Sequence, residues 1–184
     1  MSLVRYPIIQ YAYVVNDVEA ACLRWADMFG AGPFLIVPNF RGLNGRYRGQ
    51  PAGDIVTHAL GQCGAVNIQF TQQHNDAPSV WRDMYPKGSQ GLHHVMLMPD
   101  DIESERQRFE EAGCVIGAEF DDPLKVGEDG QPITARVYYI DARPLIGCFV
   151  ELFEGSDLIR GTLETLARLN HDPVERSRLF RDAL

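Results

Sequence analysis

The sequence repeats itself, and a chain that duplicates a supersecondary unit folds as two related modules built around a shared core. Laying QYAYVVNDVEAACLRWADMFG from Gln10 over HVMLMPDDIESERQRFEEAG from His94 (94 − 10 = 84) puts Asp17 on Asp101, Val18 on Ile102, Glu19 on Glu103, Arg24 on Arg108 and Trp25 on Phe109. In both copies a short apolar strand runs into an aspartate suited to N-cap a helix, because its carboxylate accepts free amide hydrogens of the first turn. A helix of about three turns follows. Its inward stripe in the first copy is expected to be Ala21, Trp25, Met28 and Phe29, and Gly30 and Gly113 end the two helices in left-handed turns.

Strand-like segments come next in each copy, broken by Gly, Pro and Asn: PFLIVPNF, DIVTHALG and AVNIQFTQ, then VIGAEF, TARVYYID and CFVELFE. Each copy is therefore a βαβββ module. The last strands correspond as well, VNIQF over FVELF (151 − 69 = 82), so Gln69 falls opposite Glu151. A two-residue drift across a module is an ordinary loop difference. The expected organisation is an N-terminal module over 6–73, a linker over 74–90, a C-terminal module over 91–154 and a helical extension over 155–184. In the extension, SDLIRGTLETLARLN is amphipathic, with Leu158, Leu163, Leu166 and Leu169 placed to cover a face, and HDPVERSRLFRDAL forms a docked or frayed tail.

The repeat also pairs polar residues inside apolar strands: Gln10 with His94 on the first strands, Gln69 with Glu151 on the last. Burying an unpaired amide, imidazole or carboxylate costs about 1–3 kcal/mol or more. A shared metal ion would satisfy all four. Of the adjacent His93 and His94, strand alternation sends one to each face, so His93 is expected to turn away toward helix packing or the module junction.

These residues resemble the vicinal oxygen chelate superfamily, which includes glyoxalase I, methylmalonyl-CoA epimerase, extradiol dioxygenases and bleomycin-resistance proteins. The resemblance covers roughly residues 6 to 154 and is strongest in GLHHVMLMPDDIE, where the second histidine of the family's stretch is a metal ligand; that implies His94. VELFE resembles the final E-L strand and implies Glu151, while IIQYAYVVND and VNIQFTQ imply Gln10 and Gln69. The resemblance implies an α+β fold, paired βαβββ modules forming an open cup-like mixed sheet with the metal at its floor and an added C-terminal helix. It also implies a homodimer, with the modules pairing within a chain or swapping between two.

The pattern falls between two members of the superfamily. Glyoxalase I supplies Gln, Glu, His and Glu, whereas Gln69 stands here at the second position; epimerases supply His, Gln, His and Glu with a further glutamate on a neighbouring strand, and DIVTHALG offers only His58. The implied activity is that of a metal-dependent lyase or isomerase moving a proton next to a carbonyl through a metal-stabilised enolate, with Glu151 or His58 as the proton shuttle. Two amides, one imidazole and one carboxylate leave a divalent ion (Ni, Co, Mn, Mg or Zn) with one net positive charge, suited to an anionic substrate oxygen. Two other functions fit the same cup: a non-catalytic small-molecule-binding protein of the bleomycin-resistance type, and an extradiol-type dioxygenase, which would require a histidine where Gln10 stands.

Charge and hydropathy narrow the partners. A net charge of −8 and a pI near 5.0 argue against nucleic acid or an anionic membrane and toward a small molecule. No apolar run approaches the ~18 residues of a membrane span, and MSLVRYPIIQ lacks a signal-peptide core, so a cytoplasmic protein is expected. Cys22, Cys63, Cys114 and Cys148, scattered without C-x-x-C spacing, are expected to be reduced thiols. Arg41, Arg46 and Arg48 sit on the Gly-rich stretch NFRGLNGRYRGQ, either a mobile loop gripping the carboxylates or phosphates of a glutathione or coenzyme A conjugate, or a solvated loop. Trp81, Met84 and Tyr85 in the linker wall a pocket or fasten the modules together, and one of Tyr138 and Tyr139 faces the cavity.

Overall fold

A computed structural model describes residues 6–182. Residues 1–5, part of the stretch considered above for a signal peptide, and residues 183–184 lie outside the described residues. The strands are β1 (Gln10–Val14), β2 (Phe34–Phe40), β3 (Leu43–Tyr47), β4 (Gln50–Pro51), β5 (Val56–Cys63), β6 (Val66–Gln73), β7 (Gly91–Leu97), β8 (Val115–Val126), β9 (Pro132–Asp141), β10 (Phe149–Phe153) and β11 (Phe180–Arg181). The helices are α1 (Val18–Phe29), α2 (Val80–Met84), α3 (Ile102–Glu111), α4 (Arg143–Ile146), α5 (Asp157–His171) and α6 (Pro173–Ser177). The fold is α+β: all strands join one mixed sheet in the order β11-β2-β5-β6-β1-β7-β10-β9-β8-β3-β4.

That order carries a pseudo-twofold. β1 and β7 meet antiparallel at the centre, each runs parallel to the last strand of its own half (β6 and β10), and the antiparallel neighbours β5 and β9 follow outward. Asp17 accepts from the Ala20 amide and Asp101 from the Ser104 amide, capping α1 and α3 as the repeat requires, and Gly30 closes α1 at φ 65°. α1 differs from its expected stripe. It buries Ala21 and Cys22, whereas Met28 and Phe29 in the last turn are exposed, because α1 packs on β5 and β6 through its earlier turns.

The Gly-rich stretch is not a loop but the hairpin β3–β4, and β3 crosses to the other half to pair with β8. Since β2 and β3 are separated by only Arg41 and Gly42, the two margins of the sheet are drawn round toward each other. Gly42 permits this closure: a Cβ there would run into the Phe120 ring. β8 is also longer than the sequence suggested, continuing through Asp121, Asp122 and Pro123 to Val126 with register shifts that absorb the proline.

One apolar cluster fills the concave side, including Val56, Trp81, Met96, Tyr139 and Phe149; two others lie on the convex side beneath α1 and α3. The C-terminal extension covers the cup. Leu166 and Leu169 of α5 are buried, Leu158 is exposed, and Ile159 and Leu163 pack against the inner cluster. Buried Asn170 anchors the end of α5 by donating to the carbonyls of Gly30, Gly32 and Gln62, and β11 adds a strand to β2. Among the described residues no helix is long and apolar enough to cross a membrane, and the four cysteines are free thiols.

Candidate metal centre and active site

Gln10, Gln69, His94 and Glu151 come together on the four central strands. Gln69 and His94 each stand opposite Ala12, while Gln10 and Glu151 each stand opposite Met96, so the quartet obeys the pseudo-twofold. All four are buried. His94 Nε2 and Glu151 Oε2 lie 3.2 Å apart.

Each of the four is oriented by a second partner that leaves one donor atom free. Asn67 donates through Nδ2 to the Gly61 carbonyl (2.8 Å), so its Oδ1 accepts from Gln10 Nε2 (2.6 Å) and Gln10 Oε1 is left without a partner. Gln69 spends its nitrogen on Thr71 Oγ1 (3.2 Å) and His58 Nδ1 (3.3 Å), which leaves its oxygen. Tyr139 donates its hydroxyl to Glu151 Oε1 (2.9 Å), leaving Oε2.

The histidine pair is the most constrained. His93 Nε2 lies 2.9 Å from the Val80 carbonyl, an obligate acceptor, so this nitrogen carries the hydrogen. Burial holds His93 well below the ordinary imidazole range, so the ring is neutral and its Nδ1 accepts. His94 Nδ1, 3.0 Å away, must then donate to it, which turns Nε2 toward Glu151. Nε2 faces a carboxylate oxygen inside the protein, an arrangement that needs a cation or a proton between the two atoms. The expectation that His93 lies on the opposite face is corrected here, whereas its expected contact with the module junction is made through the Val80 carbonyl. Along β7, His94 pairs with Ala12 and Leu92 with Tyr13, so His93 is the extra residue of a β-bulge. The bulge brings both rings to the concave side, where His93 stacks on Phe149 (centroids 4.9 Å apart, 13° between planes).

A cavity of about 260 Å³ opens above the quartet. Gln10, Gln69, Glu151 and Tyr139 reach it from the floor, His58 from β5 and Asp122 from β8. Ile159, Thr162 and Leu163 of α5 line the cavity as well. His58 is held down to about 4 by burial, so it is neutral at pH 7. Asp122 behaves in the opposite sense: burial and the charge of Glu151 push its carboxyl up to about 7. Asp122 is absent from the sequence expectation, which ended its strand at Phe120. Tyr139 faces the cavity, and Tyr138 faces outward to donate to Glu103. Trp81 packs against His58, His93 and Tyr139 and donates its indole hydrogen to Asp54.

The three arginines lie elsewhere. Arg41 and Arg46 border a smaller cavity of about 130 Å³ that shares Phe40, Phe120 and Tyr139 with the larger one. Arg48 is engaged by Asp83 (2.5 Å) and Asp141 (3.3 Å) in an ionic clamp between the hairpin, α2 and β9.

The donor set fits a divalent cation: two amide oxygens, one imidazole nitrogen and one carboxylate oxygen, three of these atoms being buried and unpartnered. Because two donors are amides, no cluster of three His, Cys, Asp or Glu forms among the described residues.

Residues 9–134 match the family model described as the glyoxalase/bleomycin resistance protein/dioxygenase superfamily. The chain belongs to that superfamily. The match stops before Glu151, which the fold brings to the centre. Solved structures share the superfamily fold: methylmalonyl-CoA epimerase from Mycobacterium tuberculosis is 18% identical with a TM-score of 0.54, covering 87% of this chain and 94% of its own. A hypothetical protein from Bacillus halodurans C-125 is 16% identical with a TM-score of 0.56, covering 84% and 97%. Streptomyces coelicolor methylmalonyl-CoA epimerase in complex with 2-nitronate-propionyl-CoA is 16% identical with a TM-score of 0.51, covering 82% and 98%. No curated protein sequence matches this chain.

Proposed function

We propose that this protein is a divalent-metal-dependent enzyme that moves a proton next to a carbonyl group, as an isomerase, epimerase or lyase. Gln10 Oε1, Gln69 Oε1, His94 Nε2 and Glu151 Oε2 hold the ion. The observation that carries this reading is the His94 and Glu151 pair: two buried atoms 3.2 Å apart, without a hydrogen-bond partner among the described residues, that need a cation or a proton between them. The ion, when bound, supplies Lewis-acid stabilisation of the negative charge that grows on a carbonyl oxygen as the neighbouring C–H proton leaves.

The chain's own residues shape the rest. The buried floor and the α5 side chains Ile159 and Leu163 wall the cavity, and withdrawing a substrate from water there strengthens every electrostatic contact made to it. Glu151 and neutral His58 stand beside that carbon as groups able to move a proton. Arg41 and Arg46, at the adjoining cavity, hold anionic groups of the substrate or of a coenzyme A or glutathione carrier. Fold-level similarity to structures of methylmalonyl-CoA epimerase supports the isomerase form of this reading, and the substrate is a small carbonyl compound.

Metal content tests it. Protein purified without chelator and then titrated with Co, Ni, Mn or Zn is expected to bind one ion per chain, and His94→Ala and Glu151→Ala each to lose it. Equal metal content and equal thermal stability across the three proteins would remove the basis of the proposal.

A further inference from the structure

Three carboxylates alternate along β8, and two of them have partners. Asp121, on the outward side, accepts from Asn44 Nδ2 (2.9 Å) and pairs with Arg136 (3.3 Å); Glu119 lies 4.0 Å from the same guanidinium. Asp122 faces the cavity with Phe120 and Leu124 and has no hydrogen-bond or ion-pair partner among the described residues. Phe153, Ile159 and Leu163 line the same cavity, as do the polar side chains of Gln10, His58, Gln69 and Tyr139. A desolvated carboxyl without a partner lowers stability, and nothing in the packing of the cup requires one there. Such placement marks a functional group rather than a structural one.

The other proton-handling groups of the cavity each have partners. Glu151 gives one oxygen to the Tyr139 hydroxyl and turns the other toward His94. His58 receives Thr71 and Gln69 at Nδ1. Among the described residues neither oxygen of Asp122 has a hydrogen-bond partner. β8 lies on the opposite flank of the floor from β5, so Asp122 approaches a substrate held at the quartet from the side away from His58. It shares the cavity with Glu151 and feels its charge without touching it.

Building on the enolate reading above, we propose that Asp122 is the catalytic residue that takes the proton from the substrate carbon. The C–H bond next to the carbonyl breaks, its electron pair becomes the carbon–carbon π bond, and the carbonyl oxygen takes the negative charge. The proton goes to an Asp122 oxygen. Return of a proton to the same or the neighbouring carbon restores the carbonyl and the carboxylate, so no oxidant or further reactant is consumed. The near-neutral pKa imposed by burial suits a group that must both accept and give up a proton near pH 7.

The test is hydrogen exchange in deuterium oxide. The Co-loaded protein is incubated with two probes in turn, methylmalonyl-CoA and the hemithioacetal of methylglyoxal with glutathione, and deuterium entering the carbon next to the carbonyl is followed by mass spectrometry. Wild type is expected to exchange at least one probe. Asp122→Asn is expected to lower kcat by ~10²–10⁴-fold, as for loss of a general base, with KM and Co content held; Asp122→Ser serves as the second variant if the first folds poorly. Exchange within about threefold of wild type in either variant would overturn the role of Asp122. A Co-loaded wild type that exchanges neither probe would overturn the enolate reading and Asp122 with it, and the two failures differ because only the second silences the wild type.

Discussion

Glu151→Gln should stabilise the metal-free protein while destroying its response to metal. The substituted amide can keep the Tyr139 hydrogen bond through its oxygen and place an N–H where Oε2 stands, 3.2 Å from His94 Nε2. Two buried unpartnered atoms would then satisfy each other. Each such atom costs about 1–3 kcal/mol, so the gain is of order 2 kcal/mol or more. For a domain of this size that raises Tm by about 4–8 °C in chelator, at 2–4 °C per kcal/mol. In wild type, metal at ~100 times Kd contributes about 2.7 kcal/mol, an upward shift of about 5–11 °C. Loss of the one anionic ligand should weaken binding ~100-fold or more, so the same metal concentration should move the variant by no more than ~2 °C. Differential scanning fluorimetry of both proteins, in chelator and in Co, gives all four values. A variant less stable than wild type in chelator, with an undiminished metal shift, would refute the idea that His94 and Glu151 are held open for a cation.

Three further outcomes follow from named contacts. His93→Phe keeps a ring against Phe149 but removes the acceptor that fixes the His94 tautomer, and metal affinity measured by calorimetry should fall about 10–100-fold, as for other outer partners of metal ligands. Asn67→Ala frees the Gln10 amide to turn its nitrogen inward and should weaken metal binding in the same assay without altering the His94 and Glu151 pair. Asp122 carries a folded pKa of about 7 against an ordinary 3.8, so the folded state holds a proton that the unfolded state releases. Its stabilising contribution is present below about pH 4 and disappears as pH rises through 7. Asp122→Asn should therefore gain on wild type by about 4 kcal/mol between pH 4 and pH 8, and parallel Tm against pH curves would contradict the raised pKa.

Much of this architecture was legible because duplication shows in sequence. Gln10 and His94 could be paired, and Gln69 with Glu151, before any coordinates, since the offset along the chain maps onto a pseudo-twofold in space. The aspartate caps were legible for a local reason: Asp17 and Asp101 act on amides only three residues away. What escaped were features set by interactions between strands. His93 was assigned to the wrong face because alternation holds only where the ladder is unbroken, and the bulge that breaks it is a property of β1 and β7 together. Asp122 was hidden because Pro123 reads as the end of a strand, whereas β8 carries the proline through with a register shift. The Gly-rich stretch became a hairpin because its partner, β8, lies in the other half of the chain.

The same reasoning explains why a site with two amides can hold an ion and also be specific. A carboxylate orients itself toward any cation, but an amide is ambiguous, since a turn of its plane exchanges a donor for an acceptor. Here the ambiguity is removed by residues outside the quartet: Gly61 acting through Asn67 on Gln10, Thr71 and His58 on Gln69, and the Val80 carbonyl through His93 on His94. Val80 begins α2, in the segment that joins the two halves, so the tautomer at the centre depends on how that segment is seated. Trp81 and Ser79 hold it, through Asp54 and Gln73 respectively. Loosening this anchor with Trp81→Phe, which removes only the indole donor to Asp54, should therefore lower metal affinity although residue 81 contributes no ligand. Unchanged affinity in that variant would show that His94 is oriented by β7 alone.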